Sequence, residues 1–224
     1  MSEKITFIEP TYRRPDISEE RFHYHWRAIH GPIGAAMANV GGYIQLHRVV
    51  PGLEGLIPLT CPGIVEAWFE SEAAMLRTYD DPVYLEQAKP DNEHYVDIPR
   101  ASRFFGTEEV VVAGDDEARN GVKALVLLER RADVEPEQFV AAWRAWSDAV
   151  TEAAAPIRAT RCPVLAEGPG STAGFDGIEL LAWPTLAELE AAWSASVVPL
   201  LPQLAAFADL TGCAGWAGEE FLMK

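Results

Sequence analysis

Two periods of apolar and polar positions alternate along this 224-residue chain, and their order repeats. Residues 4–12 alternate partially, interrupted by Pro10, and read as a strand. Ser18 caps a predicted helix on which Phe22, Trp26, Ile29 and Ile33 form one apolar stripe. Gly31-Pro32 reads as a stop or kink, which puts His30 in the last turn, with Pro32 opening a short segment through Asn39. Strands are predicted over 43–50, 64–69 and 104–113. Between the last two, Ser71 caps a helix over about 72–79, and 83–88 adds a turn or two. After a polar, glycine-flanked stretch the pattern restarts. Residues 122–131, 158–166, 178–183 and 212–222 read as strands, and 137–153 and 186–194 as helices.

The restart can be checked by spacing. An offset of 117 maps Arg13-Arg14 onto Arg130-Arg131, Phe22 onto Phe139 and Trp26-Arg27 onto Trp143-Arg144; an offset of 115 maps Ala67-Trp68 onto Ala182-Trp183. Each half reads β-α-β-β-α-β, the ferredoxin-like unit with two helices on one face of an antiparallel sheet. The division is 1–113, a linker at 114–121, and 122–224. Two such halves predict an α+β fold packed sheet to sheet, with a lumen between them.

Composition narrows the function classes. A net charge of −16 argues against nucleic acid and anionic membranes, which call for basic patches. No apolar run approaches the ~20 residues that cross a bilayer, and the start lacks a signal-peptide pattern, so a cytoplasmic protein is expected. Cys61, Cys162 and Cys213 are odd in number and far apart, which suits reduced, buried thiols. Gly168-Pro169-Gly170-Ser171 reads as a loop and not a phosphate cradle, since no Lys-Ser/Thr follows.

The run Phe22…Trp26…His30-Gly31-Pro32, followed by Tyr43, resembles the signature of the EthD family; Asp81-Pro82 and His94-Tyr95-Val96-Asp97 fit it less specifically. The resemblance covers most of 4–113 and continues, degraded, over 122–222. It implies a dimeric α+β barrel built here within one chain. The wider superfamily implies several activities: cofactor-free polyketide cyclases and dehydratases, isomerases, quinone-forming monooxygenases and some haem proteins. Under the 117 offset His30 becomes Ser147, and His23 and His25 become Val140 and Ala142, so the working site is expected in the first half.

Strand alternation then nominates residues. With Ile44 and Leu46 against the helices, Tyr43, Gln45 and His47 face the lumen; Glu66 and Trp68 face it from the next strand, and Leu181 and Trp183 from the second half. His30 is the expected general acid/base, with a helix-capping role as the alternative. His47 and Glu66, on neighbouring strands, are nominated with it as catalytic residues that could pair, with a buried pair of purely structural duty as the alternative. Trp26, Tyr43, Trp68, Tyr12 and Trp183 are expected to bind substrate, and His23 and His25 to be solvated. No metal-ligand spacing is present. The expected function is a cofactor-independent dehydratase or cyclase acting on an aromatic or polyketide-like molecule. The alternatives are a haem- or oxygen-dependent monooxygenase, with His30 or His47 as axial ligand, and a non-catalytic binding protein. A homodimer is compatible with either.

Overall fold

The computed structural model describes residues 4–114, 120–165 and 174–224; Gly168 to Ser171 and the middle of the expected linker lie outside them. Five strands build the first half among the described residues: β1 (Ile5–Thr11), β2 (Gly42–Arg48), β4 (Gly63–Phe69), β5 (Phe104–Thr107) and β6 (Glu109–Val112), the last two separated by Glu108 alone; β3 (Ile57–Pro58) is a two-residue addition in a loop. Its helices are α1 (Glu19–His25), α2 (Gly31–Ala36), α3 (Glu72–Thr78) and α4 (Lys89–Asn92). The second half has β7 (Val122–Leu128), α5 (Pro136–Ala154), β8 (Arg158–Pro163), β9 (Gly177–Trp183), α6 (Leu186–Ala192) and β10 (Ala214–Leu222).

The strands run β5-β1-β4-β2-β10-β7-β9-β8-β6, with β3 beside β10. The two ends of that order, β5 and β6, are successive pieces of one stretch of chain. The sheet therefore curls into a nearly closed barrel with helices outside, a mixed α+β fold. The halves meet edge to edge, each last strand pairing with the other half's second strand: β10 with β2, and β6 with β8.

The barrel interior is not an open lumen. Ile8, Leu46, Ile64, Leu125, Leu180 and Trp216 belong to one buried cluster drawn from both halves. Ile44 and Leu46 point into the barrel, and Tyr43, Gln45 and His47 point to the helices, the reverse of the expected facing. The reason is physical: a closed barrel capped by helices buries both faces, so polarity no longer identifies the inward one. One charged chain crosses this interior. Lys123 Nζ contacts Glu66 Oε2 at 2.5 Å and Glu220 Oε1 at 3.0 Å, and Arg158 pairs with Glu220.

Both halves seat a helix tryptophan on a strand-opening glycine. A Cβ on Gly63 would lie 2.1 Å from the Trp26 ring, and one on Gly177 would lie 2.7 Å from the Trp143 ring. Gly63→Ala is therefore expected to cost about 1–3 kcal/mol by overpacking, read as a lower thermal midpoint. The glycines also show that the 115 offset slips by one. Gly177 answers Gly63, so Trp183 answers Phe69 and not Trp68.

Candidate functional site

The helix that carries His30 does not stop at Gly31-Pro32. It widens into a π-helical turn, Trp26–His30, and continues as α2. Pro32 has no N–H to give the preceding turn, and the wider turn absorbs the defect. Gly31 N–H reaches back to the Trp26 carbonyl. The extra residue rotates the stripe. Ile29 turns out to 41% exposure and His30 takes the buried position.

His30 lines a cavity of about 120 Å³ between the first half's sheet and its helices. Phe7, Val65, Ala67, Phe69 and Phe105 form the sheet wall; Gly34, Met37, Met75 and Ala88 belong to the helical wall. Polar groups line it as well. His30 Nδ1 donates to Asp91 Oδ2 at 2.9 Å, and His25 Nε2 lies 2.9 Å from Oδ1 of the same carboxylate. Burial acts to raise the Asp91 carboxyl, but the hydrogen bonds from His30 and His25 outweigh it and hold it below the ordinary range. With Nδ1 committed, Nε2 is the ring nitrogen of His30 left without a hydrogen-bond partner among the described residues. The cavity is also lined by Glu9 and Arg103, which pair at 2.8 Å, and by the phenols of Tyr43, Tyr79, Tyr84 and Tyr95.

Behind Tyr43 lies a second polar group. His23 Nδ1 and His47 Nδ1 are 2.7 Å apart, and the His47 ring stacks on Trp26. Burial, then the charges of His23 and Arg27, push the His47 imidazole down to about 3. The native state therefore binds fewer protons than the unfolded chain between about pH 3 and ~6.5. Stability from this residue is complete above that window and lost as pH falls through it. Glu179, pushed up to about 8 chiefly by burial, acts the other way, losing stability as pH rises from ~4.5. The clean readout is a comparison. Between pH 7 and pH 5, His47→Gln should lose about 2 kcal/mol less than wild type in urea denaturation.

The other expected site residues fall elsewhere. His47 and Glu66 stand on opposite faces of the sheet and do not pair; Glu66 faces Lys123 inside the barrel. Trp68 belongs to the barrel cluster. Tyr12 packs beside that cluster under Arg100, 4.1 Å from its ring centroid. Trp183 is in the second half's core and donates to the Ala154 carbonyl at 3.2 Å. Trp26 is fully buried above Gly63. His23 and His25 are hydrogen-bonded and not simply solvated. Asp91, Glu9, Arg103, Tyr79, Tyr84 and Tyr95 were not anticipated as site residues. One signal pointed to the right half: all six tyrosines and all five histidines precede residue 96. The second half keeps titratable chemistry of its own, since buried Glu179 accepts from Trp143 Nε1 at 2.9 Å and Ser147 Oγ at 2.8 Å.

No group of three or more His, Cys, Asp or Glu that could hold a metal occurs among the described residues. All three cysteines are buried, and burial pushes the Cys61 thiol up to about 12, far from a poised thiolate. A space of about 120 Å³ is close to the ~150 Å³ that accepts benzene, the size of a single ring. No helix among the described residues is long and apolar enough to cross a membrane.

Comparison with known proteins follows the same outline. Residues 14–99 match the model of the EthD domain. No curated protein matches the chain. Among solved structures, an anthrone oxidase-like protein superposes with a TM-score of 0.62 at 10% identity, covering 99% of this chain and 92% of that one. A Fusobacterium nucleatum protein provisionally named a monooxygenase gives 0.63 at 8% identity over 100% and 94% of the two chains. A variant chlorite dismutase from Candidatus Nitrospira defluvii gives 0.53 at 10% identity over 98% and 92%. At such identities the likeness shows a shared fold.

Proposed function

From a chain whose residues 14–99 are an EthD domain and which folds throughout as a dimeric α+β barrel, we propose a small-molecule enzyme working in the first-half cavity. The observation that carries this reading is His30, lining an apolar cavity with Nδ1 fixed on Asp91. A carboxylate that holds one imidazole nitrogen fixes the tautomer and presents the other as a base. The aromatic and aliphatic walls suit a ring, and the volume suits a single one. A polyketide-like substrate would insert one ring. Sheet and helices exclude water and fix the pose, which lowers the barrier in its own right.

The reaction class is proton transfer, as in a dehydratase or cyclase. Oxygenation of the same ring is the second reading, supported by the names of the anthrone oxidase-like and monooxygenase neighbours. Incubation with single-ring phenols and aryl ketones, followed by mass spectrometry with and without air, separates the two. Product formed under nitrogen supports proton transfer. Product that requires oxygen supports the second reading, and ligand bound but recovered unchanged would overturn both.

A further inference from the structure

Hydrogen-bond directions around Tyr43 follow from its neighbours. Gln45 Nε2 lies 2.8 Å from the Trp26 carbonyl and 2.8 Å from Tyr43 Oη. A carbonyl only accepts, so this end of the amide is the NH₂ and both its hydrogens are spent. Tyr43 Oη therefore accepts. Oε1 of Gln45 is 3.3 Å from His47 Nε2, which must carry the hydrogen; His47 then accepts at Nδ1 from His23 Nδ1, 2.7 Å away. Every link runs one way, from His23 through His47 and Gln45 to Tyr43. The hydroxyl hydrogen of Tyr43 has no acceptor among the described residues, and Tyr43 lines the cavity.

The second half treats the corresponding donors differently. Strand pairing sets Val65 opposite Gln45 and Glu179 opposite Arg161. Each is two residues beyond its glycine, Gly63 or Gly177. In the second half the Glu179 carboxylate takes Trp143 Nε1 and Ser147 Oγ. In the first half apolar Val65 holds that place, and the oxygen that the buried Trp26 indole N–H acts on is the Tyr43 hydroxyl, which it favours as an acceptor. Where the second half uses a carboxylate, the first half uses the hydroxyl of Tyr43, a residue that lines the cavity.

We propose that the Tyr43 hydroxyl donates to a carbonyl oxygen of the ligand, so that the substrate is a ring bearing a ketone or aldehyde with an acidic carbon beside it. This rests on the cavity being the working site. His30 Nε2 takes the proton from that carbon. The C–H pair becomes the C=C bond of an enolate, and the carbonyl pair moves to oxygen, where Tyr43 O–H stabilises the charge. Return of the proton to another atom of the substrate closes the step without an oxidant or reductant.

Carbonyl-labelled acetophenone and isotope-edited infrared spectroscopy provide the test. Wild-type protein should lower the bound carbonyl stretch below its value in an apolar solvent. Tyr43→Phe should restore that value with acetophenone still bound, and should slow exchange of the methyl protons in D₂O by at least ~10-fold. A lowered stretch that persists in Tyr43→Phe, or an unshifted stretch in wild type, would overturn the assignment. His30→Gln should abolish exchange and keep the shift; unchanged exchange there defeats the proton-transfer reading and leaves Tyr43 as the donor. Absent binding, or binding undiminished by the cavity-filling Ala67→Phe, would refute cavity and donor together.

Discussion

Lys123→Met is expected to destabilise the protein by about 3–5 kcal/mol, the cost of leaving buried charges without their partner. Lys123 bridges Glu66 and Glu220, and all three side chains are almost completely buried. Arg158 reaches Glu220 and would remain, but Glu66 would face an apolar interior as an unpaired carboxylate. At about 2–4 °C per kcal/mol for a chain of this size, the thermal midpoint should fall by roughly 6–20 °C. Adding Glu66→Leu to Lys123→Met should recover most of the loss, because the Glu220–Arg158 pair then stands balanced among apolar side chains. Glu66 comes from the first half and its partners from the second, so the loss measures how firmly the barrel seam is held. A single variant with a wild-type midpoint would show that the charged chain contributes nothing to closure.

The second large effect concerns activity. His30→Gln should lower kcat by about 10²–10⁴-fold, the range for loss of a general acid/base. KM should change little, since glutamine keeps the bulk of the cavity wall. Asp91→Asn should cost about 10²-fold by a different route. It keeps the shape but no longer fixes the His30 tautomer, and it releases His25 as well. Steady-state kinetics on whichever aryl ketone is turned over, with thermal melts to confirm folding, would measure both. Turnover unaffected by either substitution would remove His30 from the chemistry.

These two effects also mark what could be read from residues alone. Strand and helix positions were legible because alternation and the 3.6 period survive in both halves. The capping serines were legible too: Ser18 and Ser71 each accept a backbone N–H. Which face of β2 met the helices was not. Ile44 and Leu46 are as dry inside the barrel as they would be beneath a helix. The Gly31-Pro32 pair looked like a helix end, and only the π turn reveals that the chain continues and rotates His30 inward. Asp91 could not be found locally, since 61 residues separate it from His30 and it follows an unremarkable Lys-Pro pair. Glu179 was invisible for a related reason. Its position answers Val65, so no alignment of the two halves on chemical type could flag it.

The site between sheet and helices, in place of one inside the barrel, is the claim on which the functional account stands. A crystal structure of the protein with bound acetophenone tests it most directly. The ring should lie between Val65 and Ala67 on the strand side and Gly34 and Ala88 on the helix side, near His30 Nε2. A ring found instead among Ile64, Leu125 and Trp216, within the barrel, would contradict it.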